Sequence, residues 1–217
     1  MRAQVRVKIC GVRDAAALAA AAEAGADFVG LVFFPRSPRA VSVEAAATLA
    51  VTRPAGGPAL VGLFVDPADD DLSAVLRKVP LDWIQLHGHE PPDRVAEIRQ
   101  RFGLPVLKAV GVASRAEAEA AVVSYAPVAD ALLFDAKPPP GATRPGGNAV
   151  ALDAAMLAGL ACPRLWLLAG GLAPDTVAEA IRACAAPGVD VSSGVERAPG
   201  EKDPARIRAF VAAARAA

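Results

Sequence analysis

Cys10 closes the run Val7-Lys8-Ile9-Cys10-Gly11, a β-like stretch that ends on a thiol and breaks at a glycine. If Val7 and Ile9 face one side of a strand, Lys8 and Cys10 face the other. A thiol beside a lysine at a strand mouth is a candidate base or nucleophile, because a nearby cation favours the thiolate and lowers its pKa. The plain alternative is a buried packing cysteine, the reading given to Cys162 and Cys184. Asp135 ends a second apolar run, Leu132-Leu133-Phe134-Asp135. A carboxylate there is costly unless it is paired or functional. On the parity of Leu133 it points inward, where a low dielectric favours the protonated acid and makes it a candidate proton donor. An ion pair with Lys137 is the alternative. Arg39 follows Ser37 and Pro38, with Arg36 close by. Its guanidinium fork suits a carboxylate or a phosphate; a solvated surface arginine is the alternative.

The elements that must position these groups repeat along the chain. β-like runs at 5–10, 28–33, 59–65, 82–87, 105–110, 130–135, 164–169 and 189–193 alternate with helix-like runs. The latter lie at 13–24, 43–51, 69–79, 92–102, 115–124, 149–157, 174–185 and 204–216. Ser114 and Asp203 stand where helix caps belong. Eight such repeats predict a single-domain (βα)8 TIM barrel over residues 1–217, somewhat shorter than the ~250 residues usual for that fold. A doubly wound open sheet is the competing architecture. It usually needs fewer strands, and no G-x-G-x-x-G turn follows the first strand here. One longer loop, with Pro138, Pro139, Pro140, Gly141, Gly146 and Gly147, follows the sixth strand.

A barrel of this kind keeps its active site at the C-terminal strand ends. Those ends supply Cys10, the loop with Arg39, Asp66, His87, Asp135, Gly170-Gly171 and Ser192-Ser193-Gly194. Barrels often hold a phosphate between the loops after strands seven and eight, through backbone amides. Gly170, Gly171, Ser193 and Gly194 are therefore read as a phosphate cradle, with ordinary tight turns as the alternative. Gln85 and His87 read as polar residues facing the interior. Two histidines, His87 and His89, without clustered carboxylates make a poor metal site, and no metal is expected.

Bulk properties set outer bounds. With 54% hydrophobic residues, 217 positions can bury one large core. The 23 basic and 23 acidic side chains cancel, so no electrostatic footprint for nucleic acid or an acidic membrane is present. Met1-Arg2-Ala3-Gln4 opens no secretory signal. The alanine-rich stretch at 15–26, interrupted by Glu23, suits a helix packed on a sheet better than a membrane span. Three cysteines without framework spacing fit a reducing compartment, and a cytoplasmic location is expected.

Several of these segments form an ordered set. It runs Lys8-Ile9-Cys10-Gly11, Gly25-Ala26-Asp27, Ser37-Pro38-Arg39, Gly62-Leu63-Phe64-Val65-Asp66 and Gln85-Leu86-His87-Gly88. It continues with Leu133-Phe134-Asp135, Pro145-Gly146-Gly147, Ala169-Gly170-Gly171-Leu172 and Asp190-Val191-Ser192-Ser193-Gly194-Val195-Glu196. In that order, nearly end to end, the chain resembles the phosphoribosylanthranilate isomerase family of tryptophan biosynthesis, whose members are (βα)8 barrels. The resemblance implies Cys10 as general base, Asp135 as general acid and Arg39 as the partner of the anthranilate carboxylate. It implies an Amadori rearrangement of a phosphorylated ribosylamine to 1-(2-carboxyphenylamino)-1-deoxyribulose 5-phosphate, with no cofactor and no metal. The chain departs from the family pattern at Asn148-Ala149-Val150-Ala151-Leu152-Asp153-Ala154, where Ala149, Leu152 and Ala154 replace a glycine and two aromatic residues. Two rival readings remain: a related phosphate-binding barrel, such as a pentose-phosphate epimerase or an indole-glycerol-phosphate-type lyase, and a barrel that binds a phosphorylated ligand without turnover. The first would need more His and Asp, or a catalytic lysine and glutamate, at the strand ends.

Overall fold

Capping chemistry and side-chain parity account for most of the architecture. The side chains of Asp14, Ser42, Ser114 and Asp203 each accept a backbone N–H from the first turn of the helix that follows. Each such cap satisfies a donor the helix cannot satisfy itself. Gly103, at φ +66°, ends another helix in the left-handed conformation. A computed structural model describes residues 4–137 and 152–217. In chain order its first elements are β1 (Arg6–Cys10), α1 (Ala15–Glu23), β2 (Phe28–Val32), α2 (Val43–Val51), β3 (Ala59–Phe64), α3 (Asp69–Leu76), β4 (Trp83–Leu86) and α4 (Pro92–Phe102). Then come β5 (Val106–Val112), α5 (Arg115–Tyr125), β6 (Ala131–Ala136), β7 (Leu165–Leu168), α6 (Val177–Cys184) and β8 (Gly188–Val191). A short hairpin, β9 (Glu196–Ala198) and β10 (Glu201–Lys202), precedes α7 (Pro204–Arg215).

Strands β1 to β8 are parallel neighbours in sequence order, and β8 pairs back onto β1 to close the barrel. All eight expected strands are present. Two expectations need correction. The helix expected at 149–157 falls partly outside the described residues, and its described portion is a 3-10 turn, Ala154–Leu157, capped by Asp153. Likewise α6 starts at Val177, because Ala173 to Thr176 form a turn in which the amides of Thr176 and Val177 share the Ala173 carbonyl. The hairpin β9–β10 was not anticipated. The changed run 148–151 lies outside the described residues.

Parity decides what the barrel holds. Val7 and Ile9, Val29 and Leu31, Ile84 and Leu86, and Leu132 and Phe134 point outward into the layer shared with the helices. The alternate residues point inward. At the lower end of the interior, Leu107, Ala109, Ala131, Leu133, Leu167 and Ala169 form an apolar plug with Trp83 and Leu165. Above it the lining turns polar: Lys8, Gln85, Asp135 and Asp190 are all buried. Burying Leu- and Val-sized side chains is worth about 1.5–3 kcal/mol each, so the plug and outer layer can sustain a costly polar upper tier. Lys108 breaks the outward apolar rule. It is buried on the outer face of β5, where its Nζ donates to Glu90 Oε2 at 2.6 Å and to the Gly88 carbonyl at 2.8 Å.

Candidate active site

Cys10 is the last residue of β1 and lies in register with Gly30 of β2. A Cβ on Gly30 would stand 2.9 Å from Cys10 Sγ and 3.2 Å from Lys8 Nζ. The absence of a side chain there is what makes room for the thiol and the ammonium together. Lys8 Nζ donates to Asp190 Oδ1 of β8 at 2.7 Å, an ion pair between register partners. The expectation of a thiol lowered overall beside Lys8 is not met. Burial pushes the Cys10 thiol above its ordinary value and is the largest influence; the cations of Lys8 and Lys202 pull it down, and the Asp190 carboxylate pushes it up again. The lysine charge was visible in the sequence; the carboxylate that offsets it was not.

Asp135, at the upper end of β6, points inward as expected and is buried. Its Oδ1 accepts the Ala136 amide at 2.8 Å, and its Oδ2 stands 3.6 Å from His87 Nε2. Lys137 turns away and pairs with Glu117 at 3.1 Å, so the alternative Asp135–Lys137 pair is not made. Gln85 lies behind His87, with Nε2 3.4 Å from His87 Nδ1. Gln85 Oε1 is buried and has no partner among the described residues. His89 is exposed beside Asp66, away from this interior. Among the described residues no three His, Cys, Asp or Glu side chains gather as a metal-ligating group.

Arg39 is buried rather than solvated. Its Nε and Nη2 donate to Glu196 Oε1 and Oε2 at 2.7 and 2.9 Å, the bidentate fork geometry. The first carboxylate it holds is therefore the protein's own. Lys202 Nζ donates to the same Glu196 Oε1 at 2.8 Å and to the Ser192 carbonyl at 2.9 Å. Ser192 Oγ donates in turn to the Cys10 carbonyl at 3.1 Å. A continuous polar chain thus joins Arg39, the hairpin β9–β10, the loop after β8 and the end of β1. Burial opposes the Glu196 charge, but hydrogen bonds from Arg39 and Lys202 outweigh it and hold that carboxyl below its ordinary value.

The two glycine-bearing turns come together. Gly170 and Gly171 sit at φ +91° and +70°, a region that favours glycine. Gly194 packs so closely on the Leu172 carbonyl that a Cβ there would overlap it. Ser193 and Gly194 open the 3-10 turn Ser193–Val195. Among the described residues, the amides of Gly171, Ser193 and Gly194 donate to no protein acceptor.

A family model described as N-(5'phosphoribosyl)anthranilate (PRA) isomerase matches residues 7–213. This chain belongs to the N-(5'-phosphoribosyl)anthranilate isomerase family. Its activity is that isomerisation, a step in tryptophan biosynthesis. The N-(5'-phosphoribosyl)anthranilate isomerase of Paracoccus denitrificans is 60% identical over 212 residues, covering 98% of both chains. The crystal structure of phosphoribosyl anthranilate isomerase from Thermotoga maritima superposes with a TM-score of 0.84 at 36% identity, covering 98% of this chain and all of that one. A phosphoribosyl anthranilate isomerase crystallised with reduced 1-(o-carboxyphenylamino)-1-deoxyribulose 5-phosphate gives 0.82 at 34% identity, again over 98% of this chain and 100% of that one.

Cys10, Arg39 and Asp135 all come to the upper end of this isomerase barrel, and the two glycine turns adjoin it. Sequence reasoning missed the roles of Asp190, Glu196 and Lys202. For Asp190 a signal existed, since it shares parity with Ser192 and β8 closes onto β1. Glu196 and Lys202 gave none, because they follow the last barrel strand in a hairpin with no period of its own. Glu90 was missed as well. Its carboxylate accepts the Asp66 and Gly88 amides and so ties the loops after β3 and β4.

Proposed function

We propose that Cys10 and Asp135 carry the isomerisation as base and acid, with the phosphate on the two glycine turns and the anthranilate carboxylate at Arg39. The observation that carries this reading is placement: a thiol on β1 and a carboxyl on β6 are both buried and inward-facing at the end of the barrel where the glycine turns meet. The unpartnered amides of Gly171, Ser193 and Gly194 support an anion between the loops after β7 and β8. Arg39 keeps Nη1 clear of protein acceptors among the described residues, so it can offer one prong to a ligand carboxylate while Glu196 holds the other two.

In the proposed sequence the Asp135 carboxyl gives its proton to the ribose ring oxygen. The C1–O bond breaks as the amine nitrogen lone pair forms a C1=N iminium. Cys10 thiolate then takes the C2 proton; an S–H bond forms, the C–H pair becomes the C1=C2 bond, and the iminium π pair returns to nitrogen. The resulting enolamine tautomerises to the ketone, 1-(2-carboxyphenylamino)-1-deoxyribulose 5-phosphate. C1 is reduced and C2 oxidised within one molecule, which makes the enzyme an intramolecular oxidoreductase. Every step is a proton transfer with movement of an adjacent electron pair, so no cofactor enters the scheme. Three cysteines without framework spacing suit a reducing compartment, and we place the activity in the cytoplasm.

Steady-state kinetics on Cys10→Ala and Asp135→Asn test the assignment. A general acid or base contributes about 10²–10⁴-fold, so each variant should lose that much kcat with little change in KM. Near-parental turnover in Cys10→Ala overturns the base. A rise confined to KM in Asp135→Asn makes Asp135 a binding group instead.

A further inference from the structure

A buried thiol can act as a base only where a nearby charge compensates the thiolate. We propose that Lys8, clamped by Asp190, is a positioning residue for Cys10: its fixed ammonium is the counter-charge that lets the sulfur carry a negative charge in this interior. The inference rests on the reading of Cys10 as the base.

Lys8 is completely buried, and among the described residues its single ion-pair partner is Asp190 at 2.7 Å. A buried pair of this kind is weak evidence for stability, because an apolar replacement is often as stable. The apolar plug directly below shows that this interior can be filled without charge. What distinguishes the position is proximity to the thiol. Lys8 and Cys10 are two residues apart on the same face of β1, and Sγ and Nζ both crowd the space that a Gly30 Cβ would occupy. Gly30 therefore leaves the two groups facing each other with no side chain between.

The other charges around the sulfur single out Lys8. Asp190 approaches from β8, Lys202 from β10, and Asp135 and His87 line the same mouth from β6 and the end of β4. Lys202 is already committed to Glu196 and Ser192, and burial, with Arg39 nearby, pushes its ammonium below the ordinary lysine range. Lys8 goes the other way. Burial opposes its charge, but the Asp190 carboxylate and the neighbouring sulfur outweigh burial and raise it. Lys8 is thus the ammonium whose charge its surroundings favour more, and it exerts the strongest downward pull on a thiol that burial drives up. Asp190 moderates that pull and holds the ammonium in place.

The test is the pH dependence of iodoacetamide alkylation at Cys10, followed on the Cys10-containing peptide by mass spectrometry, together with the pH profile of kcat. Two variants are needed. Lys8→Met leaves Asp190 unpaired and can fail to fold; Lys8→Met with Asp190→Asn removes both charges and keeps the measurement available. An opposite charge within a few ångströms shifts a titration by about 1–3 units. Lys8→Met should therefore alkylate at neutral pH about tenfold or more slowly than the parent, with the midpoint moved to higher pH; the double variant, which also loses the opposing Asp190 charge, should move the same way by a smaller step. The acidic limb of kcat should move up with it, while KM stays near the parental value. A purely structural role would lower stability and leave the midpoint where it was. An unmoved alkylation midpoint in the double variant overturns the proposal for Lys8. A midpoint that moves while the kcat limb does not overturns the assignment of Cys10 as base.

Discussion

Gly30→Ala adds one methyl group to the floor beneath the thiol, and its effect can be worked out from three distances. The new Cβ would lie 2.9 Å from Cys10 Sγ, 3.2 Å from Cys10 Cα and 3.2 Å from Lys8 Nζ. Non-bonded carbon contacts are comfortable near 3.5–4.0 Å, so all three neighbours are too close. The Cα of Cys10 is fixed by its register with Gly30 in the closed sheet, and Lys8 is held by Asp190. The sulfur has the most freedom, and relief comes from swinging it away by an appreciable fraction of an ångström. Overpacking of this kind costs about 1–3 kcal/mol, and for a chain of this size each kcal/mol lowers Tm by about 2–4 °C. A misplacement of about 1 Å costs about 10²-fold in rate. Gly30→Ala should therefore remain folded, melt several degrees lower and lose roughly two orders of magnitude in kcat. KM should be nearly unchanged, since Arg39 and the glycine turns are untouched. Steady-state kinetics and thermal denaturation on the same preparation decide the matter. A folded variant with kcat within a few-fold of the parent, or with its loss entirely in KM, would refute the argument that the thiol depends on this vacant space.

Three further outcomes follow from other contacts. Gly194→Ala drives a methyl into the Leu172 carbonyl; the loops after β7 and β8 should part, raising KM for the phosphorylated substrate well beyond any change in kcat, as steady-state kinetics would report. Arg39→Lys should weaken an anthranilate-bearing ligand but barely affect an analogue lacking the carboxylate, and additive effects in a binding cycle would remove Arg39 from that role. Glu196→Gln leaves Arg39 and Lys202 facing each other without their buried carboxylate, a loss of about 3–5 kcal/mol on the scale for breaking buried pairs. Because the Glu196 carboxyl titrates below its ordinary value when folded, its stabilisation is complete above the unfolded carboxylate range near pH ~4.3 and is lost as pH falls through the folded value. The parent should show that acid-side loss in chemical denaturation, and Glu196→Gln should lack its share of it.

Much of the barrel was legible because its signal is local. Eight apolar runs of strand length alternate with capped helical segments, and parity correctly turned Lys8, Cys10, Gln85, His87 and Asp135 inward. The glycine turns were legible for a different reason, since Gly170 and Gly171 are needed where φ is positive. What escaped the sequence depends on contacts between distant segments. Nothing local marks Glu196 as the partner of Arg39, 157 residues away. Nor does β1 alone reveal how fully the thiol is buried, the main reason its pKa rises rather than falls, or that Asp190 offsets the charge of Lys8. Lys108 shows the limit of the pattern: its parity is outward and apolar by rule, yet it is buried in an ion pair with Glu90 that only the folded chain supplies.

Closure of β8 onto β1 also sets an order of events during synthesis. Strand β1 leaves the ribosome long before the groups that complete its surroundings: the carboxylate that pairs with Lys8 and the hydroxyl that reaches the Cys10 carbonyl each lie 182 residues after their partner. Contacts of such long sequence separation form only after a large loop has closed. Until then the nascent chain exposes a lysine and a thiol without the neighbours that adjust them. Assembly of the polar layer around Cys10 therefore coincides with the docking of β8 and the hairpin that follows it. A chain released before residue 202 would lack Lys202 from that layer, and the loss would be felt around Cys10 as well as in the stability of the fold.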